Sequence, residues 1–566
     1  MSSAPSTEQI AASAMKLLME NPLFKVGSAA IRGNEYRVFE NAPPHLGALF
    51  AYGASHGDKE FLFYENERWT FAETWSQACR LANALSQKFG VKKGDRVAIA
   101  MRNYPEWITA YMALVSLGAV AAPLNAWWKT DELEYSLRDC GAKLVILDKR
   151  RLDYLAPVKD QLGLTFILAR DSHDDADYLL GDIIAQCPSD APPVADIAPD
   201  DDFAIYYTSG STGNPKGVIL THRGAVTTLM SWAFLASAVK DARGGVSLFG
   251  DDPGILLAVP LFHVTGSHSI FMLSWMVGRR LAIMYRWDAK LAVELINKHK
   301  LTNFVGVPSQ SYELIEAAGD AGMPSLIDIG SGGAKRPPDQ VKKLKDKFKN
   351  ANPSSGYGLS ETNALGCVIS LDDYQKRPDS TGRAVPPCCD IKIVGDNGDA
   401  NTGEVGEVWI RSAANFRGYL NLPEETAAAL TDDGWFRTGD LGRLDDEGFL
   451  YIVDRIKDLI IRGGENISCL EVEAHAYEHA AVDQAVAFSV PDEVLGERVG
   501  LVVYAKADAD FDPHELRDFM AAKLANFKCP ERIWVSPTPL PRLGTEKFDK
   551  RTVRKIALQH PPSWQA

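Results

Sequence analysis

The chain reads as an α/β protein: a large N-terminal domain of parallel-rich sheets with a small β-barrel-like part, followed by a small C-terminal α+β domain. Three observations lead there. Short apolar runs at 97–101, 144–147, 203–207 and 255–259 suit strands buried on both faces. Helical patterns lie between them, the alternation that builds parallel sheets. From about Asp454 the pattern restarts, with a helix near 470–478, strands near 484–489 and 499–505, a helix near 513–525 and a strand near 532–535. The expected division is 1–455 and 456–566, the second within the ordinary size of a domain.

The elements have local reasons. Thr70-Phe71-Ala72-Glu73 has the form of a capping box, and Phe71, Trp75, Ala78, Leu81, Ala82, Leu85 and Phe89 follow at helical spacing until Gly90. A helix of about five turns is expected there. Two charge-free stretches, 107–128 and 253–278, are long enough to span a bilayer. The first reads better as a helix ending near Gly118 and a short strand stopped by Pro123. The second holds Pro260, Gly266 and the polar residues His263, Thr265, Ser267 and His268 in its middle, which lipid does not accommodate. No membrane span is expected. Runs at 391–394 and 408–411 flank Gly-rich turns including Asn397-Gly398, and supply the antiparallel, barrel-like part.

Composition excludes several classes. Hydrophobic residues make up 46% and charged residues 24% of 566 positions, so wholesale disorder and a single small module are ruled out. Sixty Lys and Arg stand against 74 Asp and Glu, a net charge of -14. No global basic field exists for nucleic acid or an anionic bilayer, and an anionic ligand needs a local site. The eight cysteines, Cys79, Cys140, Cys187, Cys367, Cys388, Cys389, Cys469 and Cys529, form no CxxC pair and read as reduced core thiols of a cytoplasmic protein. Glu8, Lys16 and Glu20 interrupt the first 24 residues, so no signal peptide is expected.

The densest chemistry follows the run at 203–207: Thr208-Ser209-Gly210-Ser211-Thr212-Gly213-Asn214-Pro215-Lys216-Gly217. Glycines let backbone N–H groups approach an anion, hydroxyls donate, and Lys216 adds a point charge, so this segment suits a polyphosphate. A Walker A loop would place Gly directly before Lys and Ser or Thr after it. Lys216 lies between Pro215 and Gly217, and the spacing fails.

That segment resembles the phosphate-loop signature of the adenylate-forming (AMP-binding) superfamily, which includes acyl-CoA synthetases, peptide-synthetase adenylation domains and beetle luciferases. The other motifs appear in order. Ser331-Gly332-Gly333-Ala334 is similar to the adenine loop, and Gly356-Tyr357-Gly358-Leu359-Ser360-Glu361-Thr362 to the aromatic-acidic motif. The segment 434–440, ending in Asp440, resembles the ribose motif, 454–460 the interdomain hinge, and 540–547 the segment of the catalytic lysine. The resemblance implies a mobile C-terminal domain, ATP, Mg²⁺ and coenzyme A. It gives Lys547 the bridging of carboxylate and α-phosphate, Glu361 and Thr208 the metal, Tyr357 the adenine face, Ser360 the α-phosphate, Asp440 and Arg455 the ribose side, and Lys457 the pivot. Gly463 and Gly464 would let the pantetheine arm pass.

His263, in Pro260-Leu261-Phe262-His263, stands where domains that activate amino acids carry aspartate, so the resemblance favours acyl- or aryl-CoA synthetases, with the histidine between acyl pocket and thiol. The segments expected to line the acyl pocket, 232–235, 262–267, 305–309 and 331–333, are mostly apolar, which favours a neutral aliphatic or aryl tail. One departure stands out: Glu546 precedes Lys547 where the family has glycine. The expected partners are a small carboxylic acid, ATP and coenzyme A, without nucleic acid; a homodimer stays open. Alternative readings are carrier-protein loading, luciferase-like oxidation of the adenylate, and a catalytically silent nucleotide-binding protein.

Overall fold

The computed structural model describes residues 5–208, 214–320, 322–507, 509–544 and 546–566. Two large sheets carry the N-terminal part. One has eight strands, with Arg96–Ala100, Val120–Pro123, Leu144–Asp148 and Thr165–Ala169 parallel at its centre, and Asp202–Thr208 and Lys216–Thr221 as an antiparallel pair toward one edge. The other has nine, with Glu60–Tyr64, Arg280–Ile283, Gly254–Leu257, Asn303–Gly306, Asp328–Ser331 and Asn352–Gly358 parallel through the middle.

Strand periodicity decides the layers. Val97 and Ile99 face a core shared with Ile255 and Leu257 of the other sheet, whereas Ala98 and Ala100 face a separate cluster with Leu133, Leu137 and Leu152. The helices Leu46–Gly53, Phe71–Phe89, Pro105–Ser116 and His222–Ala242 contribute to the shared core, and further helices cover the outer faces. The result is five layers, helix–sheet–helix–sheet–helix, with the central strands of the eight-stranded sheet buried on both sides.

The capping box forms as read: Thr70 accepts from Glu73 N, the Glu73 carboxylate accepts from Thr70 N, and Gly90 closes the helix at φ 63°. Thr70→Ala is expected to cost about 1 kcal/mol of stability, checked by urea unfolding. The stretch at 253–278 becomes the strand Gly254–Leu257, a π-helix Thr265–Met272 and the short helix Leu273–Val277. Among the described residues no helix is long and apolar enough to cross a membrane.

The antiparallel part is an open five-stranded sheet whose last strand, Leu450–Arg455, leads into the 3₁₀ turn Ile456–Asp458. Beyond it, Ile460–Arg462 begins a separate sheet with its own core, including Val472, Val499, Leu501 and Ile533. The helix expected near 513–525 ends at Ala521, and Asn526–Lys528 forms its own 3₁₀ turn.

Candidate active site

A cleft of about 2290 Å³ opens where the C-terminal ends of the central strands meet the small domain. Open α/β sheets place ligand sites at such strand ends. Thr208, Lys216, His263, Gly332, Gly333, Ala334, Gly356, Tyr357, Gly358, Ser360, Glu361, Asp440, Arg455, Lys457 and Lys547 all line it. Ser209, Gly210, Ser211, Thr212 and Gly213 lie outside the described residues.

The adenine-loop candidates follow the strand Asp328–Ser331, and Gly332 N donates to Gly306 O at 3.0 Å. A Cβ on Gly332 or on Gly356 would meet nothing nearer than 3.8 Å, so both present open backbone faces to the cleft. Gly333 adopts φ +75°, and a Cβ there would fall 2.9 Å from Lys547 Cε. The lysine from the far end of the chain therefore packs directly on this loop.

Charges around the cleft are organised in pairs. Tyr357 OH donates to Asp440 Oδ2 at 2.7 Å, and Arg455 Nε lies 3.1 Å from Oδ1. Burial raises the Asp440 carboxyl, while Arg455 and the Tyr357 hydroxyl oppose the rise. Glu361 is buried and accepts from Tyr419 OH at 2.9 Å, with burial again raising its carboxyl. Lys216 forms an ion pair with Glu425. Lys547 is pushed down to about 8 by burial and by Arg455, against the pull of Asp440. His263 is pushed down to about 3 by burial and then by Lys547, so it is a neutral imidazole at pH 7, and its Nε2 is buried without a hydrogen-bond partner among the described residues.

A buried hydrogen-bond chain ties these segments together. Tyr111 and Tyr206 hydroxyls meet at 2.9 Å, Tyr206 donates to Ser267 Oγ at 2.7 Å, Ser267 contacts His268 Nδ1 at 3.0 Å, and His268 Nε2 meets Asn363 Oδ1 at 3.0 Å. It connects the strand ending in Thr208, the π-helix after His263 and the residue two beyond Glu361.

One reading needs correction. Trp232 and Leu235 do not line the cleft; they pack against the cluster of Leu365, Cys367 and Val385, because the helix His222–Ala242 turns that face into the core. Gly463 and Gly464 lie outside the cleft in this arrangement, as the centre of the hairpin joining Ile460–Arg462 to Glu465–Ile467, at φ 58° and 90°. Both φ values fit a type I′ turn, a local reason for two glycines.

The departure at 546 acquires a conformational meaning. Glu546 has φ +64°, the left-handed region that glycine enters freely and other residues enter at a cost of about 1 kcal/mol. The loop is closed by Leu543 N donating to Lys547 O at 2.7 Å and Glu546 N to Leu543 O at 2.9 Å.

Tyr419, Glu425 and Glu313 also reach the site or its rim and had no motif to mark them, and Arg542 stands inside the lysine segment without having been given a role. Only Glu425 carried a local signal: it sits in the first turn of the helix Pro423–Ala429, whose proline start is readable.

Comparison with known proteins agrees with this geometry. Residues 49–420 match the AMP-binding enzyme family and residues 471–547 the C-terminal domain of AMP-binding enzymes. A long-chain fatty-acid–CoA ligase of Mycobacterium tuberculosis is 32% identical over 493 residues, covering 86% of this chain and 93% of the relative. A 4-coumarate–CoA ligase of Oryza sativa is 28% identical, covering 86% and 87%. Among solved structures, ATP-bound MatB from Rhodopseudomonas palustris superposes with a TM-score of 0.80 at 27% identity, covering 90% of this chain and 98% of that one. An o-succinylbenzoate CoA synthetase from Bacillus subtilis, in complex with its acyl-adenylate, gives 0.77 at 27% identity, covering 89% and 97%. The chain belongs to the AMP-binding, adenylate-forming enzymes, on their acyl-CoA synthetase branch.

Proposed function

We propose that this enzyme joins an apolar-tailed carboxylic acid, aliphatic or aryl, to coenzyme A in two steps at one cleft. In the first, a carboxylate oxygen attacks the α-phosphorus of ATP, the bond to the bridging oxygen breaks, and pyrophosphate leaves with that electron pair. In the second, the thiol sulfur attacks the acyl carbonyl, its proton is lost, and AMP departs.

The observation that carries the reading is the seating of Lys547 against Gly333, in the same cleft as Thr208, Glu361 and Asp440. Negative charge grows on the α-phosphoryl oxygens during attack, and a positioned cation in a water-poor cleft stabilises it. Lys547 fills that role. Lys216, released from Glu425, meets the outer phosphates; Ser360 donates to the α-phosphate; Tyr357 lays its ring against adenine; Asp440 accepts from the ribose hydroxyls.

Glu361 and Thr208 offer hard oxygen donors at the phosphate end of the cleft, a set that fits Mg²⁺. The ion would supply charge neutralisation at the phosphates. Glu361→Ala is expected to raise the Mg²⁺ requirement and suppress adenylation at least about tenfold, with little change in unfolding temperature. A magnesium titration that overlays the unaltered enzyme removes Glu361 from the site.

We assign His263 to the space between acyl carbonyl and thiol route. We assign the domain boundary to Arg455–Ile456, with Lys457 as pivot and with Gly463 and Gly464 joining the cleft after rotation. The buried free cysteines support a cytoplasmic setting. Pyrophosphate release over a panel of carboxylic acids, with and without coenzyme A, tests the whole reading.

A further inference from the structure

The loop that carries Lys547 is fastened to the large domain by contacts outside the machinery above. Arg542 Nη1 lies 2.9 Å from Glu313 Oε1, and Glu313 belongs to the helix Pro308–Ala317, which forms one wall of the cleft. The other oxygen of Glu313 accepts from the indole N–H of Trp287, so the carboxylate is itself held. The same Arg542 nitrogen lies 3.6 Å from Glu546 Oε2, immediately before Lys547. One guanidinium thus joins the wall of the large domain to the left-handed residue of the lysine loop.

A second contact lies two residues on. Gly544 is pressed against Trp127, and a Cβ there would fall 2.0 Å from the indole Cδ1. That indole also carries the Arg102 guanidinium 3.3 Å from its ring centroid, close enough for a strong cation–π contact. Trp127 is 43% exposed, large for an indole, and the lysine loop is one of its covers.

Something has to hold the loop down. Lys547 enters a desolvated cleft beside the positive Arg455, and both effects work against its charged form. Glu546 adds backbone strain at the same place. The attraction that offsets these costs comes from the rim.

We propose that Arg542 is a positioning residue for adenylation: gripping Glu313 and Glu546 while Gly544 seats on Trp127, it holds Lys547 over the reacting carboxylate, and the clamp opens before thiol transfer. This rests on the two-step reading with a turning C-terminal domain. Arg542 acts through Lys547 and does not touch the reacting atoms.

The test is a double-mutant cycle of Arg542→Ala, Glu313→Ala and the pair, read separately in single-turnover adenylation and in thioester formation from presynthesised acyl-AMP. Each single variant is expected to slow adenylation about tenfold and the pair no more than Arg542→Ala alone, because the contact they share is lost only once. Thioester formation from acyl-AMP is expected to stay within about twofold in all three. Trp127→Leu, at a half-exposed position that leaves the core intact, is expected to repeat the selective loss. Losses that multiply in the pair, equal slowing of both steps, or unchanged adenylation would overturn the clamp. An unaltered enzyme that makes acyl-AMP and no thioester overturns the two-step reading, and with it the opening of the clamp, independently of how the variants adenylate.

Discussion

Lys547→Ala is expected to slow acyl-adenylate formation by about 10²–10³-fold, the usual effect of deleting one preorganised stabiliser of developing charge. Thioester formation from supplied acyl-AMP is expected to persist, since no charge builds on the α-phosphorus in that step. A pH profile adds a signature. With its pKa lowered to about 8, Lys547 is a cation below that value and loses its charge above it. Adenylation is therefore expected to decline as pH rises through about 8, and Lys547→Arg, whose guanidinium stays charged, to shift that alkaline limb upward. Rapid-quench measurement of both half-reactions decides the matter, and equal loss in the two would remove Lys547 from the proposed role.

Lys457→Pro is expected to leave adenylation largely intact and to slow coenzyme A transfer by at least about a hundredfold, equivalent to roughly 2.7 kcal/mol of barrier. Proline fixes φ near -65°. That angle suits the 3₁₀ turn Ile456–Asp458, in which Lys547 already reaches the cleft, and it resists the backbone change that rotation demands. Lys457→Ala controls for the lost charge. If proline and alanine slow both half-reactions alike, the pivot lies elsewhere.

Much of this architecture was legible because its signals are local. The capping box at Thr70 and Glu73 needs four residues, and the two-sided apolar strands show themselves in runs of four or five. The motif residues that line the cleft stand in segments whose backbone demands are visible in glycine spacing. What escaped depends on residues far apart in sequence. Tyr419 reaches Glu361 from a two-residue edge strand, too short for any periodicity, and its position depends on pairing with Lys216–Thr221. Arg542 and Glu313 meet across a separation of 229 positions. Trp232 and Leu235 were misread because an apolar helical face looks the same whether it lines a pocket or fills a core. The conformational demand at position 546 was disguised because glutamate there satisfies it with strain, where glycine would have announced it.

The pairing of Asp440 with Arg455 bears on mechanical accuracy. The two are opposite each other in the ladder between Phe436–Leu444 and Leu450–Arg455, and their side chains are joined by the ion pair as well. The ladder ends at Arg455, one residue before the turn, so the strand beneath the proposed pivot is anchored twice. A domain of about 110 residues has a radius of gyration of about 13 Å, and an angular error of about 5° at its base sweeps a tip at that radius through about 1 Å. Misplacement on that scale is enough to cost on the order of a hundredfold in rate. On the proposed rotation about Lys457, the stiffness of this bearing sets how faithfully the lysine returns to the same spot. Loosening it through Arg455 is expected to appear as scatter in the position of Lys547 as well as in nucleotide affinity.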